Sequence, residues 1–412
     1  MGGLAHLVST LLLIASAIGV AIIVLQVIML ARHLRRRAPV PSARPPISIL
    51  KPLCGLDDEL AGNLAVFATL PYPDYEVVLG VASATDPAYP VAIEAARRWP
   101  ERFRVVIQRG APGLNPKVNQ LLGLAAAARA EILVVSDSNT RVRPGYLDEI
   151  AAYLEDPTVG LVTHAIAGGG EERAGATSDA ASAKPTDIWG ARLDNLHITG
   201  TMSPGFVAAN ALCGKTYVVG KSMAMRRADV EALGGFSVVK DVLAEDFVLG
   251  RLIPRELGKR VVLGRTVVEC VTVRRSLAAF ASRYARWSVM QRQCAGLAPY
   301  LGLLLLNPVL LATWAFLLAP SRTAAAALGL CALTRALADS FAGRLTRGHA
   351  FGVRSLLLVP LKELLTGAAW LHGLFSRSIV WRSNHLIVGR GSVLSVAPSF
   401  EPARLRVRRA RA

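Results

Sequence analysis

Glu131–Thr140 reads EILVVSDSNT, and the fold turns on this stretch. Ile132 to Val135 are aliphatic without a break, the composition of a strand buried on both faces of a parallel sheet. The strand runs into Ser136-Asp137-Ser138-Asn139, small polar residues that turn the chain. In an open α/β sheet, ligands sit in the crevice beyond the carboxyl ends of the strands. Asp137 is therefore delivered where a carboxylate could hold a metal or a sugar. Taken alone, the same residue could equally cap the turn or helix that follows.

Working outward, apolar strands alternate with helical stretches. Ile47–Leu50, Tyr75–Val81 and Arg104–Gln108 read as strands, and Leu60–Thr69, Ala88–Trp99 and Asn115–Ala130 as helices. This alternation predicts an α/β domain with a mainly parallel sheet covered by helices. Gly160–His164 adds a further strand. Gly168–Asp187 loses all periodicity and reads as a surface loop. Order returns with Trp189–Leu196, Phe206–Asn210 and Tyr217–Arg226. Then follow helices at Ala228–Leu233 and Asp246–Leu257, a strand at Arg260–Val273, and a basic amphipathic helix at Ser276–Gln293.

Composition sets the context. Of 412 residues, 52% are hydrophobic and only 18% charged, with a mean hydropathy of +0.40. That is too apolar for an ordinary soluble enzyme and predicts a soluble domain tied to membrane helices. The net charge of +18 suits cytoplasmic flanks and anionic lipid headgroups. No aromatic-interleaved basic patch supports a nucleic-acid partner. The five cysteines are scattered and never in CxxC spacing, so they suggest neither a zinc site nor a disulfide framework.

Residues 4–30 are long and apolar enough to cross a bilayer, and Arg32, Arg35, Arg36 and Arg37 follow. The charge lies after the apolar run, which predicts an uncleaved anchor with the next segment in the cytoplasm of a bacterial inner membrane. Residues 31–46 form a basic, Pro-rich linker, residues 47–275 a cytosolic domain, and residues 276–295 a juxtamembrane helix. Residues 296–376 hold three apolar stretches, Leu297–Leu318, Ala324–Phe341 and Leu356–Phe375. Residues 377–412 read as a basic tail. The adjacent Lys362 and Glu363 are costly at mid-bilayer, so the third stretch is expected to be re-entrant or interfacial.

Three carboxylates fall where a sugar-nucleotide site needs them: Asp86 after the second strand, Asp137 after the fourth, and Asp246 before a helix. A nucleoside diphosphate donor needs its phosphate charge neutralised, commonly by a divalent metal on carboxylate oxygen. An acceptor hydroxyl needs a general base. Arg283 and Arg286 are three apart on one helix, with Trp287 beside them. Arginine forks recognise phosphate, although a basic helix lying on anionic lipid has the same composition.

KPLCGLDDELAGNLAVFATLPYPDYEVVLGV at 51–81, TDP at 85–87, NPKVNQL at 115–121 and SDSNTRV at 136–142 together resemble the ceramide glucosyltransferase family. GLVTH at 160–164, VAAN at 207–210, GKSMAMRRADVEALGGF at 220–236, AEDF at 244–247 and RYARW at 283–287 continue the match in the family's order. The resemblance implies a GT-A domain that transfers glucose from UDP-glucose to ceramide with inversion. It implies Asp86 at the uridine, Asp137 near metal and diphosphate, Asp246 as catalytic base, and Arg283, Arg286 and Trp287 at the diphosphate or acceptor. Lys117 and Asn139 join the donor site, and Mg²⁺ or Mn²⁺ is the implied cofactor. Asn139 departs from the family's second acidic position, which leaves half a metal site, and Leu193–Pro204 matches the acceptor side poorly. A hopanoid acceptor with UDP-N-acetylglucosamine is therefore the alternative substrate pair. A processive polysaccharide synthase fits less well, because the C-terminal membrane region is small for a polymer channel. A non-catalytic nucleotide or lipid sensor would not need all three aspartates.

Overall fold

The computed structural model describes residues 2–173, 187–214, 217–381 and 384–397. The opening stretch is a strand from Ile132 to Ser136, buried at every position. Its side chains alternate as a pleat requires. Ile132 and Val134 pack with the helices at Leu60–Ala68, Ala88–Arg98 and Tyr146–Leu154. Leu133 and Val135 pack with the helices at Pro116–Ala127 and Glu245–Glu256 on the other face. Each such side chain stabilises the fold by about 1.5–3 kcal/mol relative to exposure.

Eight strands make the main sheet: β1 (Ile47–Pro52), β2 (Tyr75–Val81), β3 (Phe103–Ile107), β4 (Ile132–Ser136), β5 (Thr140–Arg141), β6 (Val159–Gly169), β7 (Ser222–Arg226) and β8 (Arg260–Val271). Their order is β3-β2-β1-β4-β7-β6-β8-β5. The first four are mutually parallel. β7 enters antiparallel to both β4 and β6. The chain winds outward from β1 to β3 and then returns to put β4 on the other side of β1. Strand order reverses there, and that gap is the crevice such sheets use for ligands. This mixed, mostly parallel sheet, with helices apolar enough to span a membrane toward both ends, is the expected GT-A class of architecture.

The strand expected at Gly160–His164 and the loop expected after it need correction. β6 continues past His164 to Gly169, because β8 supplies a parallel partner along its length, with two irregularities. The first residues of the supposed loop are thus strand, followed by a short turn of helix at Glu171–Arg173. Residues 174–186 lie outside the described residues. Tyr217–Arg226, to which the sequence assigned order but no type, forms a strand from Ser222 onward. Phe206–Asn210, likewise left without a type, lies in a helix, Ser203–Cys213.

Among the described residues, two helices are long and apolar enough to cross a membrane, Gly3–Arg35 and Arg322–Arg347. The apolar run from Leu297 to Leu318 is not straight. It bends by 82° between Leu306 and Pro308, where proline cannot donate to the preceding turn and Asn307 caps the new helix through Leu310 N at 3.0 Å. The third stretch forms a helix of 17 residues, Val359–Phe375. Its Lys362 and Glu363 do not face lipid. Lys362 Nζ lies 2.5 Å from Asp339 and 3.0 Å from Glu363, and Arg335 bridges both acids at 2.8 and 3.3 Å. Two charges of each sign are buried together between helices, which resolves the cost that the sequence posed.

The segment from residue 377 was expected as a tail. It folds back as a three-stranded antiparallel sheet, β9 (Ser378–Trp381), β10 (Asn384–Val388) and β11 (Leu394–Val396). Residues 398–412 lie outside the described residues.

Candidate active site

Asp137 leaves β4 at the reversal point, and the turn carrying it is fixed from below. Lys51, at the end of β1, donates to Ser136 Oγ at 3.1 Å, Asp137 O at 2.8 Å and Thr140 Oγ1 at 3.2 Å. Burial brings this lysine down to about 7, against the opposing pull of Asp137.

Lys117 reaches the same place from the next helix. Asn115 caps that helix, accepting from Lys117 N at 2.9 Å and Val118 N at 3.1 Å, with Pro116 in the first turn. The Lys117 ammonium is then 2.9 Å from Asp137, 2.9 Å from Glu245 and 2.8 Å from Gly220 O. Burial alone would lower the Lys117 pKa, but the two carboxylates hold it above the ordinary value. A second ammonium, Lys221, lies 3.2 Å from the other Asp137 oxygen and 2.7 Å from Asn139 Oδ1. Burial would raise the Asp137 pKa, and the two lysines outweigh it and hold the carboxyl well below its usual range.

Asp246 completes the group. Its carboxylate accepts from Gly220 N and Phe247 N, both at 2.7 Å. Burial, reinforced by neighbouring Glu245, pushes it up to about 6. Gly220 is required here, since a Cβ would stand 2.9 Å from Asp246 Oδ2 and 3.1 Å from Lys117 Nζ. The C-terminal strands hold the loop before Asp246. Ser392 accepts from Leu243 N at 2.8 Å and from Ala244 N at 3.2 Å, and Leu394 N donates to Asp241 O at 2.7 Å.

Asp86 is not in this cluster. One of its oxygens accepts from Gly55 N and Ala88 N, both at 2.9 Å, so it ties the loop after β1 to the start of a helix. It follows β2, two strand spacings from β4, or roughly 10 Å across the sheet. Arg283 and Arg286 go to different surroundings. Arg283 is 2.7 Å from Asp194 and stacks over Trp287 at 4.9 Å. Asp194 is fully buried and also meets Tyr284 OH at 2.8 Å and Arg275 at 3.5 Å. Arg286 lines a cavity of about 310 Å³ against the C-terminal strands, with His372 and His385.

The sequence reading missed Lys221, Glu245 and Asp194. The first two stand inside quoted motifs, next to Gly220 and Asp246, and adjacency was the available signal. Asp194 had none beyond a charge in a helical segment.

A divalent cation needs several oxygen ligands. Among the described residues no three His, Cys, Asp or Glu side chains converge for one. Both Asp137 oxygens carry ammonium groups, and Glu245 is tied to Lys117. The residues present do not fit a resident Mg²⁺ or Mn²⁺. What they do offer is a buried base beside a set of fixed cations, an arrangement suited to deprotonating a nucleophile while stabilising an anionic leaving group.

Comparison with known proteins supplies the context. The sequence model described as glycosyl transferase family 21 matches residues 10–394. Ceramide glucosyltransferase 3 of Caenorhabditis elegans is 24% identical over 260 residues, covering 62% of this chain and 52% of the relative. Ceramide glucosyltransferase 1 of the same organism is 25% identical over 248 residues, covering 59% and 49%. The chain thus spans about half the length of these relatives. Among solved structures, mannosyltransferase PcManGT from Pyrobaculum calidifontis, in complex with GDP-Man and Mn²⁺, is similar at 18% identity. That match covers 90% of this chain and 99% of the other, with a TM-score of 0.46.

Proposed function

The chain belongs to glycosyl transferase family 21, and from that premise we propose that it is an inverting glucosyltransferase moving glucose from UDP-glucose to the primary hydroxyl of ceramide. Asp246 takes the proton from that hydroxyl as the oxygen attacks C1 of the sugar, and the bond from C1 to the UDP oxygen breaks. Lys221 and Arg283 stabilise the negative charge that develops on the leaving diphosphate, and Lys117 serves the donor site by holding Asp137 and Glu245 in place. Asp86 binds toward the uridine, and Asn139 helps position the cation set. Arg286 and Trp287 lie toward the acceptor.

One observation carries this reading: Gly220 joins a buried Asp246, which accepts from its N–H at 2.7 Å and is raised to about 6, to Lys117, which donates to its carbonyl at 2.8 Å and lies 2.9 Å from Asp137. A base of that strength is ionised at neutral pH yet more basic than an ordinary aspartate. Asp246→Asn should abolish sugar transfer and leave UDP binding within about threefold of wild type. Retained turnover would overturn the assignment. Membranes supplied with labelled UDP-glucose or UDP-N-acetylglucosamine, against ceramide or a hopanoid, decide the substrates. Transfer only in the second pairing would replace the first, and no UDP release with any of them would leave a non-catalytic binder.

We also propose that the catalytic domain faces the cytoplasm of a bacterial inner membrane, from Arg32 and Arg35–Arg37 after the first span. A reporter active only outside the cytoplasm, fused after Arg37, should be silent. Activity there would reverse the orientation.

A further inference from the structure

We propose that Lys221 stands in the place of a divalent cation at the donor diphosphate, so that this chain binds its nucleotide donor without metal. The proposal rests on the nucleotide-donor reading above and goes beyond it by naming what neutralises the phosphates.

Four observations carry it. First, Lys221 Nζ bridges Asp137 Oδ2 and Asn139 Oδ1, the two side chains on which a cation at this turn would sit. One ammonium already joins them. Second, Asn139 cannot supply a second anionic oxygen, and the nearest further acid, Glu245, is committed to Lys117 at 2.9 Å.

Third, the two lysines differ in what they have left to give. An ammonium has three protons to donate. Lys117 has three acceptors in Asp137, Glu245 and Gly220 O, and its role is to hold the acids. Lys221 has two acceptors among the described residues, Asp137 and Asn139, which leaves a proton for a phosphate oxygen. Arg283 lies within electrostatic reach of Asp137 as well, so the diphosphate would meet a compact ammonium and a planar guanidinium.

Fourth, the position is rigid. Lys221 is 8% exposed and lies between two anchored residues. Gly220 donates its N–H to Asp246 and offers its carbonyl to Lys117. Ser222 pairs with Ser136 of β4, and its hydroxyl meets Tyr146 and His164, both at 2.8 Å. A lysine with a fixed backbone and two fixed acceptors needs little reorganisation when an anion arrives.

The test is calorimetric titration of the full chain in detergent with UDP, in EDTA, in Mg²⁺ and in Mn²⁺. Wild-type affinity should agree across the three within about twofold. Lys221→Met should weaken UDP binding in EDTA on the order of tenfold or more, and Lys221→Arg should keep most of it. The inference is overturned if EDTA strips UDP from the wild type and Mn²⁺ restores affinity by more than about tenfold. It is equally overturned if Lys221→Met binds UDP in EDTA as the wild type does. A wild type that binds no UDP under any condition sinks the nucleotide-donor reading, and this inference with it.

Discussion

Replacing Lys362 with methionine should destabilise the protein far more than an ordinary surface substitution, and the reason is countable. Arg335, Asp339, Lys362 and Glu363 form a neutral set, with side chains exposed by no more than 4%. Removing one cation leaves two carboxylates sharing Arg335, a net buried negative charge with no water to take it. Breaking a buried pair in this way costs about 3–5 kcal/mol. With about 2.1 cal/mol/K of unfolding entropy per residue, 412 residues give about 0.9 kcal/mol/K, so the melting temperature should fall by about 3–6 °C. A thermal melt of the detergent-solubilised chain measures this. Lys362→Met with Glu363→Gln restores neutrality and leaves the Arg335–Asp339 pair at 2.8 Å, and it should recover at least about half the loss. A single variant melting within about 1 °C of wild type would refute the reasoning. So would a double variant no better than the single one.

Three further outcomes follow from the site. With Asp246 at about 6, kcat/KM should fall about tenfold per pH unit below that value, and a flat profile down to pH 5 would reject Asp246 as the base. The stability term has the opposite sense. A carboxyl raised in the folded state favours folding most below its ordinary 3.8, and that contribution is lost as pH rises through 6. Asp194→Asn strands Arg283 and Arg275, so UDP affinity should drop on the order of tenfold and the melting temperature with it. Affinity left unchanged would show that Arg283 has no part in donor binding. Gly220→Ala puts a methyl 2.9 Å from Asp246 Oδ2 and should lower kcat by about tenfold or more, whereas wild-type kinetics would mean that the loop gives way freely.

Much of the α/β half was legible because each strand there is a short, uninterrupted aliphatic run. Tyr75–Val81 and the opening strand need only local composition to be recognised. β6 was read short because Gly168, Gly169 and Gly170 mimic a loop, and only pairing with β8 tells strand from loop. The C-terminal strands were hidden by arginines and by alternation too short to register. In the site, the aspartates stood out because acids after strands have few reasons to be there. Lys221 did not, since a lysine beside a glycine reads as surface until β7 is known to lie against β4. Antiparallel insertion of one strand between two others leaves no local mark in sequence, so a cation carried on it cannot be found by spacing.

That insertion also explains how chemistry and membrane attachment are joined. Asp246 is positioned by Gly220, two residues before β7, and the loop leading to it is held by Ser392, in the turn before β11, and by Leu394 of β11. On the opposite side, Arg335 in a helix of spanning length reaches Thr201, and the hydroxyl of Thr199, two residues earlier, accepts from Gly168 N at 2.9 Å, at the end of β6. β6 pairs with β7 in turn. Asp246 and the lysines around it are therefore tied through hydrogen bonds to a helix of spanning length on one side and to the segment after the last long helix on the other. A soluble acceptor would give no advantage to that arrangement. An acceptor delivered from the bilayer would, because the depth of its hydroxyl is then set by the same helices that set the depth of Asp246.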